Sequence, residues 1–154
     1  MSIVIWLFVG GFKLRILYVS WYWTGLNEML YGDGQDIKGM PGFFNTFQAL
    51  KKKGHEIDFI FINTSKKPID TTKETKSTWI TRDNIVDVLT YHPANKIKKF
   101  LHLHEFTKQL RRSVIAVAGQ RKYDFIYAQS SYAYGAVLAA NQLGIPCGQR
   151  FYGT

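Results

Sequence analysis

Residues 36–59, DIKGMPGFFNTFQALKKKGHEIDF, restrict the fold more than any other stretch of the chain. Pro41 suits the first position of a helix, where no backbone N–H is needed and φ is already close to helical. Phe43, Phe44, Phe47 and Leu50 recur at helical spacing and define one apolar face. Lys51, Lys52 and Lys53 fall in the last turn, where cations complement the helix dipole. Gly54 supplies the left-handed residue that ends the helix. EIDFIFIN, residues 56–63, then reads as a strand, and RILYVS, residues 15–20, reads as a buried strand ahead of the helix. Two strands joined through a helix run parallel when they share a sheet.

The remainder of the chain continues this alternation. Residues 64–78 are polar and rich in lysine and threonine, the composition of a surface loop. TWITRDNIVDVLTYHP, residues 78–93, holds one or two short strands. A long amphipathic helix is expected from Asn95 to about Ala118, with Phe100, Leu103, Leu110, Val114 and Val117 on its buried side. YDFIYAQ, residues 123–129, reads as a strand. Ser130 and Ser131 are placed to cap a helix that runs through Leu143, where Gly144 and Pro146 end it. CGQRFYG, residues 147–153, reads as a final strand. The expected fold is α/β: a Rossmann-like parallel sheet with helices on both faces. Ligands in such folds bind outside the carboxyl ends of the strands. That edge carries the 20–42 loop, Gln129 to Ser131, and Phe151 to Thr154.

Composition sets the limits around this pattern. A length of 154 residues suits one domain with a hydrophobic core, and 46% hydrophobic with 16% aromatic content argues against disorder. The formal net charge of +9 points to an anionic partner or simply to a solubilising surface. A single cysteine, Cys147, allows no internal disulfide and favours a reducing compartment. It reads as a small packed residue rather than a nucleophile. The apolar start, Ile3 to Val9, is too short to span a bilayer. Residues 1–12 read as an apolar extension, separated by Gly10-Gly11 from a domain that starts at Lys13. A cytoplasmic location is expected, with a peripheral position on the inner membrane face as the alternative.

The strongest candidate for chemistry is Gly39-Met40-Pro41-Gly42. Two residues without side chains beside a helix N-terminus would let an anion approach backbone N–H groups. The plain alternative is that both glycines only make the turn. The stretch matches neither the dinucleotide fingerprint nor the nucleoside-triphosphate loop. HLHEFTK, residues 102–108, resembles a zinc motif only superficially, because His102 and His104 lie two apart on different helix faces. No metal is expected. Residues 96–122 carry eight Lys/Arg and one acid, Glu105. Such a helix is either a solvated face or a surface for an anionic membrane. A nucleic-acid module is absent, so no nucleic-acid partner is expected.

LRILYVSW, GMPGFFNTFQALKKKGHEIDFIFIN and YDFIYAQSSYAYGAVLAANQLGIPCGQRFYG, taken in this order, resemble the amino-terminal half of a family 4 (GT-B fold) glycosyltransferase. Lys53-Gly54-His55-Glu56 and the Leu-Gly-Ile-Pro turn at 143–146 are the closest matches. The resemblance covers most of residues 13–154. It implies a two-domain retaining enzyme that moves a sugar from a nucleotide-sugar to a glycan or lipid acceptor, with no cofactor beyond the donor. The donor phosphate would meet the loop Gly39, Met40, Pro41 and Gly42. Gln129, Ser130, Arg150, Tyr152 and Gly153 would line the acceptor and sugar cleft. Two positions depart from the family, which often has histidines where this chain has Gln129 and Tyr152. The family's nucleotide-binding domain, with its paired glutamates, is not in the sequence. The expectation is therefore of an acceptor-side half that does not transfer sugar alone. The alternative is a non-catalytic basic subunit bound to a membrane surface or a catalytic partner chain.

Overall fold

The computed structural model describes residues 12–22, 41–64, 84, 86–91 and 99–151, with side chains described throughout except at 41–44 and 99–101. Strand β1 (Arg15–Trp21) is followed by helix α1 (Pro41–Lys52) and strand β2 (Glu56–Asn63). Strand β3 (Val86–Thr90) precedes helix α2 (Lys99–Gln120) and strand β4 (Phe125–Gln129). A 3-10 turn (Ser131–Ala133) leads into helix α3 (Tyr134–Leu143), and strand β5 (Cys147–Arg150) follows.

The five strands form one sheet in the order β3-β2-β1-β4-β5, and every pairing is parallel. Strand side chains alternate between faces, and the two faces are covered by different helices. Ile16, Tyr18, Ile57, Phe59, Phe61 and Phe125 pack with Phe47 and Leu50 of α1. Leu17, Val19, Ile60, Ile62 and Ala128 pack on the other face against Phe106, Leu110, Val114 and Val117 of α2 and the alanines of α3. Full burial of Phe47 and Leu50 contributes about 1.5–3 kcal/mol each and fixes α1 to its face. This is the expected α/β architecture, with helices on both faces.

Helix ends follow local chemistry. Gly54 has φ 80°. Its N–H donates to Lys51 O at 2.8 Å, and His55 N–H donates to Leu50 O at 3.3 Å. Gly144 repeats the arrangement, with φ 67° and Ile145 N–H donating to Ala140 O at 3.0 Å. Both are Schellman ends, in which a left-handed glycine lets the chain turn back onto the last free carbonyls. Another glycine serves packing: a Cβ at Gly135 would lie 2.5 Å from the Thr107 carbonyl oxygen. Helices α2 and α3 therefore meet backbone to backbone at that point.

Two sequence expectations are corrected. Ser130 and Ser131 do not cap α3 through their side chains; α3 starts at Tyr134 behind the 3-10 turn, and no side-chain cap bond forms at either helix start. The reason is that the Ser130 backbone is committed to β5 instead. The last strand also ends at Arg150 rather than Gly153, and Phe151 is exposed. The helix expected from Asn95 is described from Lys99 to Gln120.

Candidate functional site

The strand order reverses between β1 and β4, because β1 sends its crossover to β2 on one side and β4 enters on the other. In open parallel sheets such a reversal leaves a crevice at the carboxyl ends, where the flanking loops diverge. Three polar residues meet there in successive strands. Gln129 and Arg150 are paired in register across β4 and β5, and Ser20 lies one rung beyond the Val19–Ala128 pair of β1 and β4. By strand alternation all three are on the α1 side of the sheet.

The Ser20 hydroxyl donates to Gln129 Oε1 at 3.1 Å. The other end of that amide, Nε2, has no partner among the described residues although Gln129 is only 1% exposed. Turning the amide would exchange the two ends and still leave one unsatisfied. Arg150 extends from β5 to α1, its Nη1 donating to Thr46 Oγ1 at 3.3 Å. A guanidinium is thereby held beside the first two turns of α1, whose free N–H groups already favour negative charge.

Ser130 adds backbone strain. Its φ of 86° and ψ of 163° fall in a region that is essentially restricted to glycine. It is the single described non-glycine residue with positive φ. Three hydrogen bonds hold it. Its N–H donates to Arg150 O at 2.9 Å, and its carbonyl accepts from Gln149 Nε2 at 3.0 Å and from Ala133 N–H at 3.2 Å. Its own hydroxyl is buried, at 7% residue exposure, and has no partner among the described residues. Trp21 Nε1, at the end of β1, is likewise buried without one. The Trp21 ring packs on Tyr132 of the 3-10 turn, with centroids 5.3 Å apart. Buried polar groups in proteins are normally hydrogen-bonded. Among the described residues, three such exceptions gather at the ends of β1 and β4.

The structure thus brings Gln129, Ser130 and Arg150 together at one edge. Pro41 and Gly42 are the first two residues of α1, as a helix-start loop requires, while Gly39, Met40, Tyr152 and Gly153 lie outside the described residues. Ser20 and Trp21 were missed as site residues by sequence reasoning. The signal available was their position at the end of the first strand of a βαβ unit.

The motif Lys53-Gly54-His55-Glu56 lies at the opposite edge. His55 is buried, and its Nδ1 accepts the Leu14 N–H at 3.2 Å. Glu56 accepts from Arg15 Nε at 2.7 Å and pairs with Lys13 at 2.7 Å. Lys13 and Arg15 together hold the Glu56 carboxyl down to about 2. These residues secure the entry into β1 and have no reach to the crevice. Cys147 begins β5; burial pushes its thiol up to about 11, so it is not an active nucleophile. Among the described residues no group of three or more His, Cys, Asp or Glu could hold a metal ion. Among them, too, no helix is long and apolar enough to cross a membrane.

No protein-family model and no curated protein sequence matches the chain. Solved structures do. The C-terminal domain of a hydrogenase from Pyrococcus furiosus is similar at 14% identity and TM-score 0.57, with 92% of this chain and 94% of that one covered. The glycotransferase of kitacinnamycin is similar at 16% identity and TM-score 0.57, with 90% of this chain but 30% of that one covered. The chain therefore spans under a third of the glycotransferase. At these identities the likeness is one of fold: a Rossmann-like parallel α/β sheet of the kind seen in GT-B neighbours. That fold serves a hydrogenase domain and a glycotransferase alike, so function must be argued from the site.

Proposed function

We propose that this chain is the acceptor-side half of a retaining glycosyltransferase of the family 4 type. It would help move a sugar from a nucleotide-sugar to a glycan or lipid acceptor. The observation that carries the reading is the row Ser20–Gln129–Arg150 at the β1–β4 crevice, in which Ser20 and Gln129 are buried, Arg150 is exposed, and one end of the Gln129 amide has no partner among the described residues. The order of sequence motifs and the likeness in fold to a glycotransferase support it.

The roles follow from the chemistry of each group. The amide of Gln129 and the hydroxyl of Ser130 offer directional hydrogen bonds to sugar hydroxyls, in a setting where water competes poorly. The free N–H groups at the start of α1 and the Arg150 guanidinium would offer positive charge to the donor diphosphate, with Gly39 and Gly42 proposed for the loop that meets it. Tyr152 and Gly153, outside the described residues, are proposed as further contacts for the sugar. The second wall is a nucleotide-binding domain, on the same polypeptide or a partner chain. The membrane alternative needs apolar side chains beside the cations of α2. The exposed side of α2 carries Lys108, Arg111 and Arg112 but no exposed large hydrophobic residue among those described.

The test is saturation-transfer NMR on this chain with UDP-glucose and GDP-mannose, extended to other nucleotide-sugars. Saturation is expected to reach the sugar protons. Gln129→Ala, with unchanged circular dichroism, is expected to weaken binding by about 1 kcal/mol. If no nucleotide-sugar receives saturation, the glycosyltransferase reading is abandoned.

A further inference from the structure

A second concavity lies away from the crevice, at the carboxyl end of β3 and along α2. It is an open concavity of about 560 Å³, within the range of small-molecule sites. His102, Glu105, Phe106 and Gln109 of its lining follow the i, i+3, i+4, i+7 spacing of one helix face, and Arg112 lies one turn further. Tyr91 closes the other side, its ring 4.8 Å from that of Phe106. Among the described residues, the side chains of His102, Gln109 and Arg112 form no hydrogen bond or ion pair, whereas Glu105 pairs with Lys108 at 3.0 Å. The cavity thus presents an acid, a cation, an amide and an imidazole over an aromatic floor.

That mixture discriminates among ligand classes. A compact anion would gain Arg112 and meet Glu105 in the same space. A metal ion would meet Arg112 and find no cluster of three ligating side chains among the described residues. A hydrocarbon would strip water from four polar side chains without replacing their hydrogen bonds. A neutral polyhydroxylated ligand satisfies all of them, since each hydroxyl both donates and accepts. Its C–H faces suit the ring edges of Tyr91 and Phe106. We infer that this cavity is a binding site for a neutral saccharide, separate from the β1–β4 crevice.

The cavity lies at the carboxyl end of β3 on the α2 face of the sheet, whereas Ser20, Gln129 and Arg150 are on the α1 face. Saccharide retention along α2 stands or falls without sugar transfer at Gln129.

The experiment is a titration of the ¹⁵N-labelled chain with maltose, cellobiose and chitobiose at millimolar concentration, with inorganic phosphate and calcium in parallel. At least one disaccharide is expected to shift the backbone amides between His102 and Arg112. The double variant Gln109→Ala, Arg112→Ala changes exposed helix positions, so the fold is retained. It is expected to weaken that saccharide by about tenfold, equivalent to roughly 1.4 kcal/mol. Gln129→Ala is expected to leave it unchanged. The inference is overturned if none of the disaccharides shifts those amides. Phosphate or calcium shifting them in place of a sugar would overturn it as well. A disaccharide response lost with Gln129→Ala but kept in the double variant would place the sugar in the crevice instead.

Discussion

The two edges of the sheet treat polar groups in opposite ways. At the amino edge nearly every one is engaged. Arg15 N–H donates to Asp124 Oδ2 at 2.8 Å, and Asp124 N–H returns a bond to Arg15 O at 2.9 Å. Asp58, 3% exposed in its side chain, accepts the Tyr123 hydroxyl at 2.6 Å and lies 3.4 Å from Arg121. Burial, and then the bond to Asp58, pushes the Tyr123 phenol above its ordinary range. At the carboxyl edge, Gln129, Ser130 and Trp21 keep buried polar atoms without partners among the described residues, and Ser130 holds a strained backbone. One edge spends its polar groups on the fold; at the other they are free for the ligand proposed above. The lesson is that burial alone does not tell the two kinds of polar residue apart: Asp58 is as buried as Gln129, and what differs is whether its polar atoms are engaged within the described chain.

The contrast can be broken from either side. The largest effect is expected at the amino edge. Tyr123→Phe removes the hydroxyl that donates to the buried Asp58 carboxylate, lowering stability by about 2 kcal/mol. Urea unfolding measures it, and ligand affinity at the crevice should not change. A stability loss under a few tenths of a kcal/mol would show that the network is not structural.

The next effect has the opposite sign. Ser130→Gly relieves backbone strain, on the order of 1–3 kcal/mol, against a smaller entropic penalty for glycine. The variant is expected to be more stable by about 1 kcal/mol and to bind nucleotide-sugar more weakly. Loss of stability in this variant would mean that the Ser130 conformation carries no strain, and the division between the edges would blur.

The smallest effect is in pH. The Glu56 carboxyl titrates near 2 in the folded chain and near 4.5 when free. A depressed folded value stabilises above the unfolded one, so the contribution is complete above about pH 4.5 and is lost as pH falls toward 2. The side chain is 41% exposed, so solvent screening keeps the contribution below about 1 kcal/mol. Acid titration of stability in Glu56→Gln should be flatter over that window, and salt should shrink the difference.

Much of the fold was legible because its signals are local. Pro41, Gly54, Gly144 and Pro146 punctuate helices within a few residues of the geometry they impose, and Phe47 and Leu50 announce a buried face by spacing. The strained Ser130 was not legible as such. Its conformation is imposed by Arg150 and Gln149, some twenty residues further along the chain, and its serine reads locally as a cap. His55 was legible as part of a motif but not as a clamp, since its partner, Leu14, lies in another element. Gln129 and Arg150 were identified as site residues through the resemblance, whereas Ser20 was not, because a serine at the end of an apolar run carries no pattern of its own. The cavity along α2 was overlooked for a similar reason: its residues follow a helical stripe that reads as a solvated surface until β3 is placed beside it.

Strand β5 has a consequence for timing. It contains four residues, stands at one edge of the described sheet, and pairs with β4 alone. Short edge strands open at free energies well below that of global unfolding. Each opening frees Ser130 to relax, so the crevice is competent only for the fraction of time that β5 is docked. Apparent affinity there is scaled by that fraction. Exchange of the Ser130 amide hydrogen, which Arg150 O protects, should therefore report how often the site exists.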